Sequence, residues 1–501
     1  MAAALVRTDP QPASSSFLST RRGVVTLLLL CAIQFLDVLD SSIMNVALPS
    51  IQRSLGFSQQ NLQWVLSGYV LTYGGFLLLG GRAADLLGRR RMLVTGIVVF
   101  ASASLGGGLS STSGTLIAAR LVQGFGAALM APAGLSILTT TFSAASDRHK
   151  AFGVWGAVSG LAAAVGVFSG GVLSEGLGWR WVLFVNLPVC ALILAGAFVL
   201  VDGERKRASL AGFDFPGALL VTAGMLLLVY GLIKAPDAGW SDRHTIGEIA
   251  TAAALLAAFA VNEQRRRNPL TPFSIFRTKG LLAADATQLI SFAGFYSMFF
   301  FLTLYMQHVL GYSPIRAGAA YLPVTVGIGI AATVSARLFA RVGTKPVIVA
   351  GSALAAVAMY YLSRIPLNGS YVRDLLPGLL GMSIGLGAVF VGVTTAANSG
   401  VAETEAGLAA GLLNTAQQLG AALGLAVFSA IATARTHHLL AAQASTPHAL
   451  TSGYHRALVA CSIFVGVAAI IALRAANTRG PGAAADVVTS GAVEPVPAAE
   501  V

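Results

Sequence analysis

Residues 24–49 read VVTLLLLCAIQFLDVLDSSIMNVALP, an apolar stretch that carries two acids, Asp37 and Asp40. About 20 apolar residues span the hydrocarbon core of a bilayer as a helix, so both acids lie well inside a membrane helix. A carboxylate at that depth costs roughly 2.5 to 3.5 kcal/mol and usually faces a cavity or a partner. Because the two acids are three residues apart, they share one helical face. We expect the chain to function beside that face.

The composition indicates a polytopic membrane protein. Of the 501 residues, 55% are hydrophobic and 10% are charged, whereas soluble domains are roughly 25% charged. Apolar runs separated by short polar breaks predict an all-α fold of about 14 transmembrane helices. The predicted spans are residues 23–44, 62–81, 92–110, 115–139, 151–173, 180–201, 214–234, 246–262, 281–305, 314–336, 346–364, 374–397, 407–433 and 455–474.

The cations are distributed unevenly between the predicted loops. Most of the 32 Lys and Arg fall on the side of the N-terminus, and the positive-inside rule places that side in the cytoplasm. An even span count then puts both termini there. No short apolar core with a small-residue cleavage site precedes the first span, which predicts a retained anchor. The high Ala, Gly and Arg content is associated with high-GC bacteria, so we expect a multi-pass protein of a bacterial plasma membrane.

The spans divide into five predicted regions. They are a disordered cytoplasmic N-terminus at 1–21, a six-helix bundle at 22–201, a linker with two inserted helices at 202–280, a second six-helix bundle at 281–475 and a disordered cytoplasmic tail at 476–501. The sequence after span two, residues 82–90, is echoed after span ten at 337–345. Parallel repeats of this kind occur in a large class of secondary transporters.

The sequence lacks the motifs of several function classes. The net charge of +12 is not accompanied by a nucleic-acid-binding motif. The three cysteines lie far apart in apolar runs and predict neither a metal site nor a disulfide set. Hydrolase, Walker and dinucleotide signatures do not occur in their structural contexts, so we expect no enzyme activity. We expect no cofactor and no metal, and a monomer that contacts lipid, protons and a small-molecule substrate.

Arg120 is a third charged residue deep in a predicted span. Arginine keeps its proton, so it needs a counter-charge, and Asp37 and Asp40 are the comparably deep acids of the first half. Alternatively, Arg120 extends to the nearby membrane surface. Asp37 is either a second proton site coupled to Asp40 or the partner of Arg120. Glu248 and Asp285 lie near span ends, where we expect water or the lipid interface around them.

The loop between predicted spans two and three resembles a motif of a known family. The loop Gly81-Arg82-Ala83-Ala84-Asp85-Leu86-Leu87-Gly88-Arg89-Arg90-Arg91 resembles the GxxxD(R/K)xGR(R/K) signature of the major facilitator superfamily, between spans two and three. The resemblance implies a conformational latch formed by Gly81, Asp85, Gly88, Arg89 and Arg90. In the alternative, the arginines only set topology and contact anionic lipid.

A narrower resemblance is to the fourteen-span drug:proton antiporters of the EmrB/QacA type. Residues 39–49 are similar to the LDxTIVNVALP signature of that group, and Arg120 with Gln123-Gly124 is similar to its RxxQG element. Further matches are Trp179-Arg180-Trp181 with Asn186-Leu187-Pro188, Asp214-Phe215-Pro216-Gly217, Gly311-Tyr312-Ser313-Pro314, and Asn414-Thr415-Ala416-Gln417-Gln418-Leu419-Gly420.

The fifth span carries the glycine pattern of the same group. Its members are Gly156, Gly160, Gly166, Gly170 and Gly171. Val167 stands where the antiporter pattern has proline, which leaves the kink and the direction of exchange less defined. Close helix packing alone also accounts for these glycines.

The resemblance implies export of lipophilic or cationic drugs in exchange for protons, with Asp40, Arg120 and Asp37 in proton coupling. Substrate and proton would compete for one anionic site, which couples their movements. An importer or symporter of the same fold, and a membrane sensor or scaffold without transport, are the alternatives. Aromatic residues of span nine suit flat or cationic compounds, and we expect Phe295, Tyr296, Phe299 and, in span thirteen, Asn414 to line the cavity.

Overall fold

The computed structural model describes residues 17–142, 145–201, 214–266, 269–270, 275, 278, 280–398 and 406–478. The described part is helical throughout, with no strand among these residues, so the all-α prediction is confirmed. Of the predicted disordered termini, 1–21 and 476–501, residues 1–16 and 479–501 lie outside the described residues. Ala476–Thr478 continue past the last helix, where the Thr344 side chain donates to the Ala476 carbonyl at 3.0 Å.

The helices follow the predicted order. In the first half they are α1 (Arg21–Leu55), α2 (Gln59–Leu62), α3 (Trp64–Leu87), α4 (Arg89–Gly108), α5 (Ser113–Thr141), α6 (Ala145–Gly176), α7 (Trp181–Phe184) and α8 (Asn186–Leu200). In the middle they are α9 (Phe215–Ala238) and α10 (Arg243–Arg265). In the second half they are α11 (Leu281–Leu304), α12 (Pro314–Ala320), α13 (Leu322–Val342), α14 (Thr344–Leu362), α15 (Leu376–Asn398), α16 (Ala406–Ala441) and α17 (Thr446–Ala472).

Within the described residues, 12 helical segments are long and apolar enough to cross a membrane. A shorter apolar stretch, Leu161–Gly176, belongs to α6. A π-helical turn, Tyr305–Val309, extends α11, and a second one, Tyr371–Leu375, precedes α15. The count of fourteen spans stays a prediction.

Several helices are longer than the sequence predicts. The first span was expected to end near residue 44, but α1 continues through Pro49 to Leu55. Residues Met44, Leu48 and Ile51 are buried in a core shared with the second half, and this packing outweighs the backbone hydrogen bond that proline lacks. Likewise α17 begins at Thr446 rather than near residue 455. α10, the predicted eighth span, is continuous through Glu248.

Each half packs around its own helices, and the two halves meet along a seam. In the first half α1 lies on α6, and α5 lies on α3 and α4; in the second, α11 lies on α16 and α17, and α14 on α15. Across the seam α3 contacts α16, and α6 contacts α12. The C-terminal ends of α1 and α11 also meet, where the Gln307 side chain donates to the Val46 carbonyl at 2.9 Å. The bundle is therefore closed at the end where α1 and α11 finish.

The inserted pair α9 and α10 is attached to one side of the bundle. Asp214 caps α9 by accepting from the Gly217 amide at 3.0 Å, and Pro216 follows in the first turn. The Asp214 carboxylate also accepts from the Asn262 side chain at 2.5 Å, which ties α9 to α10. Thr222 of α9 donates to the Gly75 carbonyl of α3 at 2.9 Å. The matched Asp-Phe-Pro-Gly motif thus holds the insertion together and positions its first helix on the bundle.

Candidate functional site

Asp40 lies at the centre of a closed polar network in the first half. Its side chain is 0% exposed and accepts three short hydrogen bonds. Arg120 Nη1 donates to Oδ2 at 2.6 Å, while Gln123 Nε2 and Asn186 Nδ2 donate to Oδ1 at 2.8 and 2.6 Å. Gln123 Nε2 also contacts Ser104 Oγ at 2.9 Å. The carboxylate is satisfied by one full charge and two amides, which is how buried charges are stabilised.

Four helices contribute to this network because of where their polar residues stand. Arg120 and Gln123 are three residues apart on α5, so both face α1, and Arg120 also donates to Gln123 Oε1 at 2.6 Å. Asn186 is the first residue of α8, and Ser104 belongs to α4. The network therefore ties α1, α4, α5 and α8 to one carboxylate. A change of charge at Asp40 is felt by all four helices.

Arg120 is enclosed and does not reach the membrane surface. It is 0% exposed, its Nε donates to the Val65 carbonyl at 2.9 Å, and its guanidinium lies 4.4 Å from the centre of the Tyr69 ring. Of the two partners considered from the sequence, Arg120 pairs with Asp40 and not with Asp37. The alternative in which Arg120 extends to the nearby surface is wrong, because α3 covers the side chain.

Asp37 has a different environment, although it lies one turn away on the same helix. It accepts from the Tyr69 hydroxyl at 2.6 Å and from the Tyr73 hydroxyl at 3.1 Å, and no salt bridge involves it among the described residues. The Tyr73 hydroxyl also lies near the side chains of Asn414 and Gln418 on α16. Asp37 is therefore linked, through one tyrosine, to the second half of the molecule.

The two acids thus have separate chemical capacities. Asp40 is compensated by a cation, so protonating it removes the charge that Arg120 pairs with and leaves the guanidinium buried without a counter-charge. Among the described residues, Asp37 accepts only from two neutral tyrosine hydroxyls. These hydroxyls can donate to an ionised carboxylate and also to a protonated carboxyl group. Asp37 also borders the seam between the halves. The pair combines a charge-coupled group with a group placed where the halves meet.

The glycine helix α6 brings close backbone contacts to the same region. A methyl group on Gly166 would lie 2.9 Å from the Leu39 carbonyl, and one on Gly170 would lie 2.7 Å from the Ile43 carbonyl. Both positions face α1 beside Asp40. Gly171 instead faces α12, where an added methyl group would lie 2.6 Å from the Pro314 carbonyl. Gly156 and Gly160 lie outside the residues whose surroundings are described.

Val167 occupies the position where the antiporter pattern has proline, and its backbone carbonyl faces the second half. A methyl group on Gly318 of α12 would lie 2.6 Å from that carbonyl. Together with the contact at Gly171, this makes a pair of close backbone approaches between α6 and α12. The glycines therefore hold α1 to α6 on one face and the two halves together on the other.

The predicted latch lies between α3 and α4. Gly88 joins the two helices with φ 104°, a conformation that favours glycine. Arg90 donates to the Phe198 carbonyl at 3.0 Å, near the C-terminal end of α8, and its guanidinium stacks on the Phe198 ring at 5.2 Å. A cation at a helix C-terminus is stabilised by the helix dipole. Arg89 is partly buried at the start of α4 and Gly81 lies beside Pro132, whereas the Asp85 side chain is outside the described residues.

The predicted cavity residues do not form one surface. Phe295 is 1% exposed within the core, and Phe299 packs on Tyr321 with ring centroids 5.2 Å apart. Tyr296 is partly buried, and its hydroxyl has no hydrogen-bond partner among the described residues. Asn414 lies at the seam, near the Tyr73 hydroxyl. In this conformation Tyr296 and Asn414 are the cavity candidates placed between the halves, and Phe295 is a core residue.

The structure adds site residues that the sequence reasoning did not select. Gln123 and Asn186 stand inside matched motifs, so the motifs held a signal for them. Tyr69 and Tyr73 are four residues apart on α3 and face α1, a spacing that marks one helical face. Ser104 carried no signal. Among the described residues, no group of three His, Cys, Asp or Glu side chains could hold a metal ion.

Comparison with known sequences places this architecture among transporters. The sequence model of the Major Facilitator Superfamily matches residues 30–425. The chain is 40% identical to a puromycin resistance protein of Streptomyces alboniger, covering 90% of each protein. It is 37% identical to the cephamycin export protein CmcT of Amycolatopsis lactamdurans, covering 90% of this chain and 92% of that protein.

Solved structures agree on the fold. A bacterial homologue of the human lysosomal transporter Spinster, in an inward-facing and unoccupied conformation, superposes with a TM-score of 0.63 at 18% sequence identity. The match covers 91% of this chain and 97% of that chain. At this identity the likeness concerns the arrangement of the helices.

Proposed function

This chain belongs to the Major Facilitator Superfamily, and on that basis we propose that it exports small-molecule antibiotics or other lipophilic or cationic drugs in exchange for protons. Members of this family are membrane transporters and not enzymes. The relatives include the puromycin resistance and cephamycin export proteins over nearly their whole length. Their shared role in resistance and export supports export rather than uptake as the direction of transport.

The observation that carries the coupling proposal is the buried pair Asp40–Arg120, with both side chains 0% exposed and 2.6 Å apart. A membrane scaffold has no use for such a pair, which is costly to bury. In the proposed cycle, a proton reaches Asp40, the pair with Arg120 is broken, and the four helices joined by the network rearrange. Loss of the proton on the other side restores the pair.

Asp37 is proposed to sense the substrate or a second proton at the seam. Its two tyrosine donors and the link through Tyr73 to Asn414 support a role in connecting the halves. A substrate that inserts between α3 and α16 would separate Tyr73 from α16. Binding at the seam and the charge at Asp40 would then be coupled along two adjacent turns of α1.

The proton gradient is sufficient for this work. One elementary charge moved through 100 mV is worth roughly 2.3 kcal/mol, and each tenfold concentration gradient requires about 1.4 kcal/mol. For an uncharged substrate, a single proton per cycle therefore sustains a gradient of roughly fortyfold at that voltage. One-for-one exchange with a monovalent cation moves no net charge and is driven by the pH difference alone. No cofactor is needed for export against such a gradient.

We further propose the fourteen-span arrangement of the drug:proton antiporters, with both termini in the cytoplasm. The side of the membrane on which the loop between α9 and α10 lies tests this arrangement. Ser241 is an exposed residue between α9 and α10, and the native cysteines Cys31, Cys190 and Cys461 are buried. A cysteine at Ser241 should react with a membrane-impermeant maleimide added outside intact cells. If α9 and α10 do not cross the membrane, labelling will require broken cells.

The export proposal is tested in a bacterium that lacks its own drug pumps. Cells expressing the chain should tolerate more puromycin, cephamycin, lincomycin or ethidium, and a protonophore should abolish the gain. Asp40→Asn, at equal abundance in the membrane, should give no protection. Greater drug accumulation in expressing cells than in control cells would instead favour an importer or symporter, and unchanged tolerance to every compound would favour a scaffold.

A further inference from the structure

Asp285 is a buried acid that belongs to neither the Asp40 network nor the Asp37 link. It lies in the second turn of α11, is 8% exposed, and neither of its carboxylate oxygens has a hydrogen-bond partner among the described residues. The expectation of a solvated or interfacial acid at this helix end is wrong for Asp285. The reason is that Leu281 and Ala284 of α11 pack with α16 residues in one hydrophobic cluster, so the start of the helix is covered.

The helices around α11 bring no described charge to this carboxyl group. The sequence of α15, 376–398, contains no titratable residue. α16 contributes the neutral amides of Asn414, Gln417 and Gln418, and its cations stand toward its other end. α17 contributes Cys461, whose backbone carbonyl faces Gly294, more than two turns further along α11. Arg474, two residues past the end of α17, is exposed. α1 also contacts α11, but its acids Asp37 and Asp40 are bonded to α3 and α5.

Two further unsatisfied polar atoms follow Asp285 at three-residue steps along α11. Gln288 Oε1 and Ser291 Oγ are buried without a partner among the described residues, at positions three and six residues after Asp285. Gln288 Nε2 donates to Gln417 Oε1 at 3.1 Å, and the next residue, Gln418, lies near the Tyr73 hydroxyl. Asp285 therefore lies at the start of a polar line that leads to the seam.

Among the residues that the structure describes, an ionised carboxylate in this position would have no compensating charge and no donor. Burying an isolated charge costs far more than burying a neutral polar group, so such a site is occupied by a neutral acid or by a bound cation. Asp285 is 8% exposed, so little of it is accessible to a larger cation. A proton is the smallest ligand that would neutralise the carboxylate.

We propose that Asp285 holds a proton in this conformation and is a second proton-binding site of the transport cycle. The O–H bond forms when the start of α11 is open to one compartment, and it breaks, releasing the proton to water, when the polar line opens to the other. With the proton handled at Asp40, two protons then cross per substrate. The stoichiometry rests on the proposed exchange, whereas the protonation of Asp285 does not.

The protonation is tested by infrared spectroscopy of the purified protein at neutral pH. The wild type should show the carbonyl stretch of a protonated carboxyl group, and Asp285→Asn should lose that band. Asn is neutral and nearly isosteric with a protonated Asp, so the variant should fold. Should it not fold, Asp285→Glu provides the second comparison, because a protonated Glu moves the band. A spectrum in which neither substitution changes the band overturns the proposal.

The stoichiometry is tested in vesicles held at zero voltage, with ethidium as the transported probe. At a pH difference of one unit, two protons balance about a hundredfold ethidium gradient and one proton about a tenfold gradient. We expect the wild type and the control Glu248→Gln near the first value and Asp285→Asn near the second. Equal gradients in the wild type and Asp285→Asn overturn the second site. If no pH difference drives the wild type, the exchange proposal fails, and the infrared result still decides the protonation of Asp285.

Discussion

Replacing Asp40 by Asn should destabilise the protein much more than the same change at Asp37, one turn away. Asp40 accepts from Arg120 at 2.6 Å with both side chains fully buried, so its loss leaves a buried guanidinium without a counter-charge. Removing one partner of a buried pair costs about 3–5 kcal/mol. Asp37 has two neutral tyrosine donors, and each such hydrogen bond contributes about 0.5–1.5 kcal/mol. An amide at Asp37 also keeps one acceptor oxygen.

A double-mutant cycle separates the charge pair from other effects. Arg120→Gln alone leaves Asp40 with the donors of Gln123 and Asn186 but without its cation. The double variant Asp40→Asn with Arg120→Gln removes both charges, so its loss should be smaller than the sum of the single losses by about 2–3 kcal/mol. The free energy of unfolding is measured by denaturant titration in mixed micelles. Equal losses at Asp40 and Asp37, or strict additivity in the cycle, would refute the reasoning.

Three further contrasts follow from the packing. Gly170→Ala should lower stability by about 1–3 kcal/mol because its methyl group meets the backbone of α1, whereas Gly176→Ala, with open space around it, should be neutral; thermal unfolding compares the two. Arg90→Gln should slow exchange without weakening substrate binding, because the side chain loses its hydrogen bond to the carbonyl at the end of α8. Arg91→Gln, at an exposed position, should leave the exchange rate unchanged. Equal turnover by the two variants would contradict the latch. Tyr73→Phe keeps the ring and removes the hydroxyl that donates to Asp37 and lies near α16 of the second half. We expect at least a fewfold weaker substrate binding, with folding intact.

The sequence indicated that Arg120 needs a buried acid but not which one. Charged residues are rare at this depth, so the cost of burial predicted a partner and left Asp37 and Asp40 as the candidates. Asn186 stands 146 residues from Asp40 in sequence, and its contact depends on how α8 packs against α1. No local pattern encodes that register. The motif containing Asn186 marked the residue without indicating its partner.

Burial caused the other differences between expectation and structure. Asp285 stands near a helix end, which suggested water, but α16 approaches α11 so closely that a methyl group on Gly420 would lie 2.1 Å from the Leu289 carbonyl. That approach covers the start of α11. Phe295 was expected at a cavity wall because aromatic side chains suit flat or cationic compounds, and packing with the first half buries it. Periodicity locates a helix but does not rank its faces when every face is apolar.

The central claim is that a proton at Asp40 drives export, and one vesicle experiment tests it most directly. Purified protein is reconstituted with ethidium, and a pH difference is imposed with the voltage held at zero. The wild type should move ethidium against its gradient, and Asp40→Asn should exchange ethidium across the membrane without accumulating it. Undiminished accumulation by Asp40→Asn, or by the wild type after the pH difference is dissipated, would contradict the account.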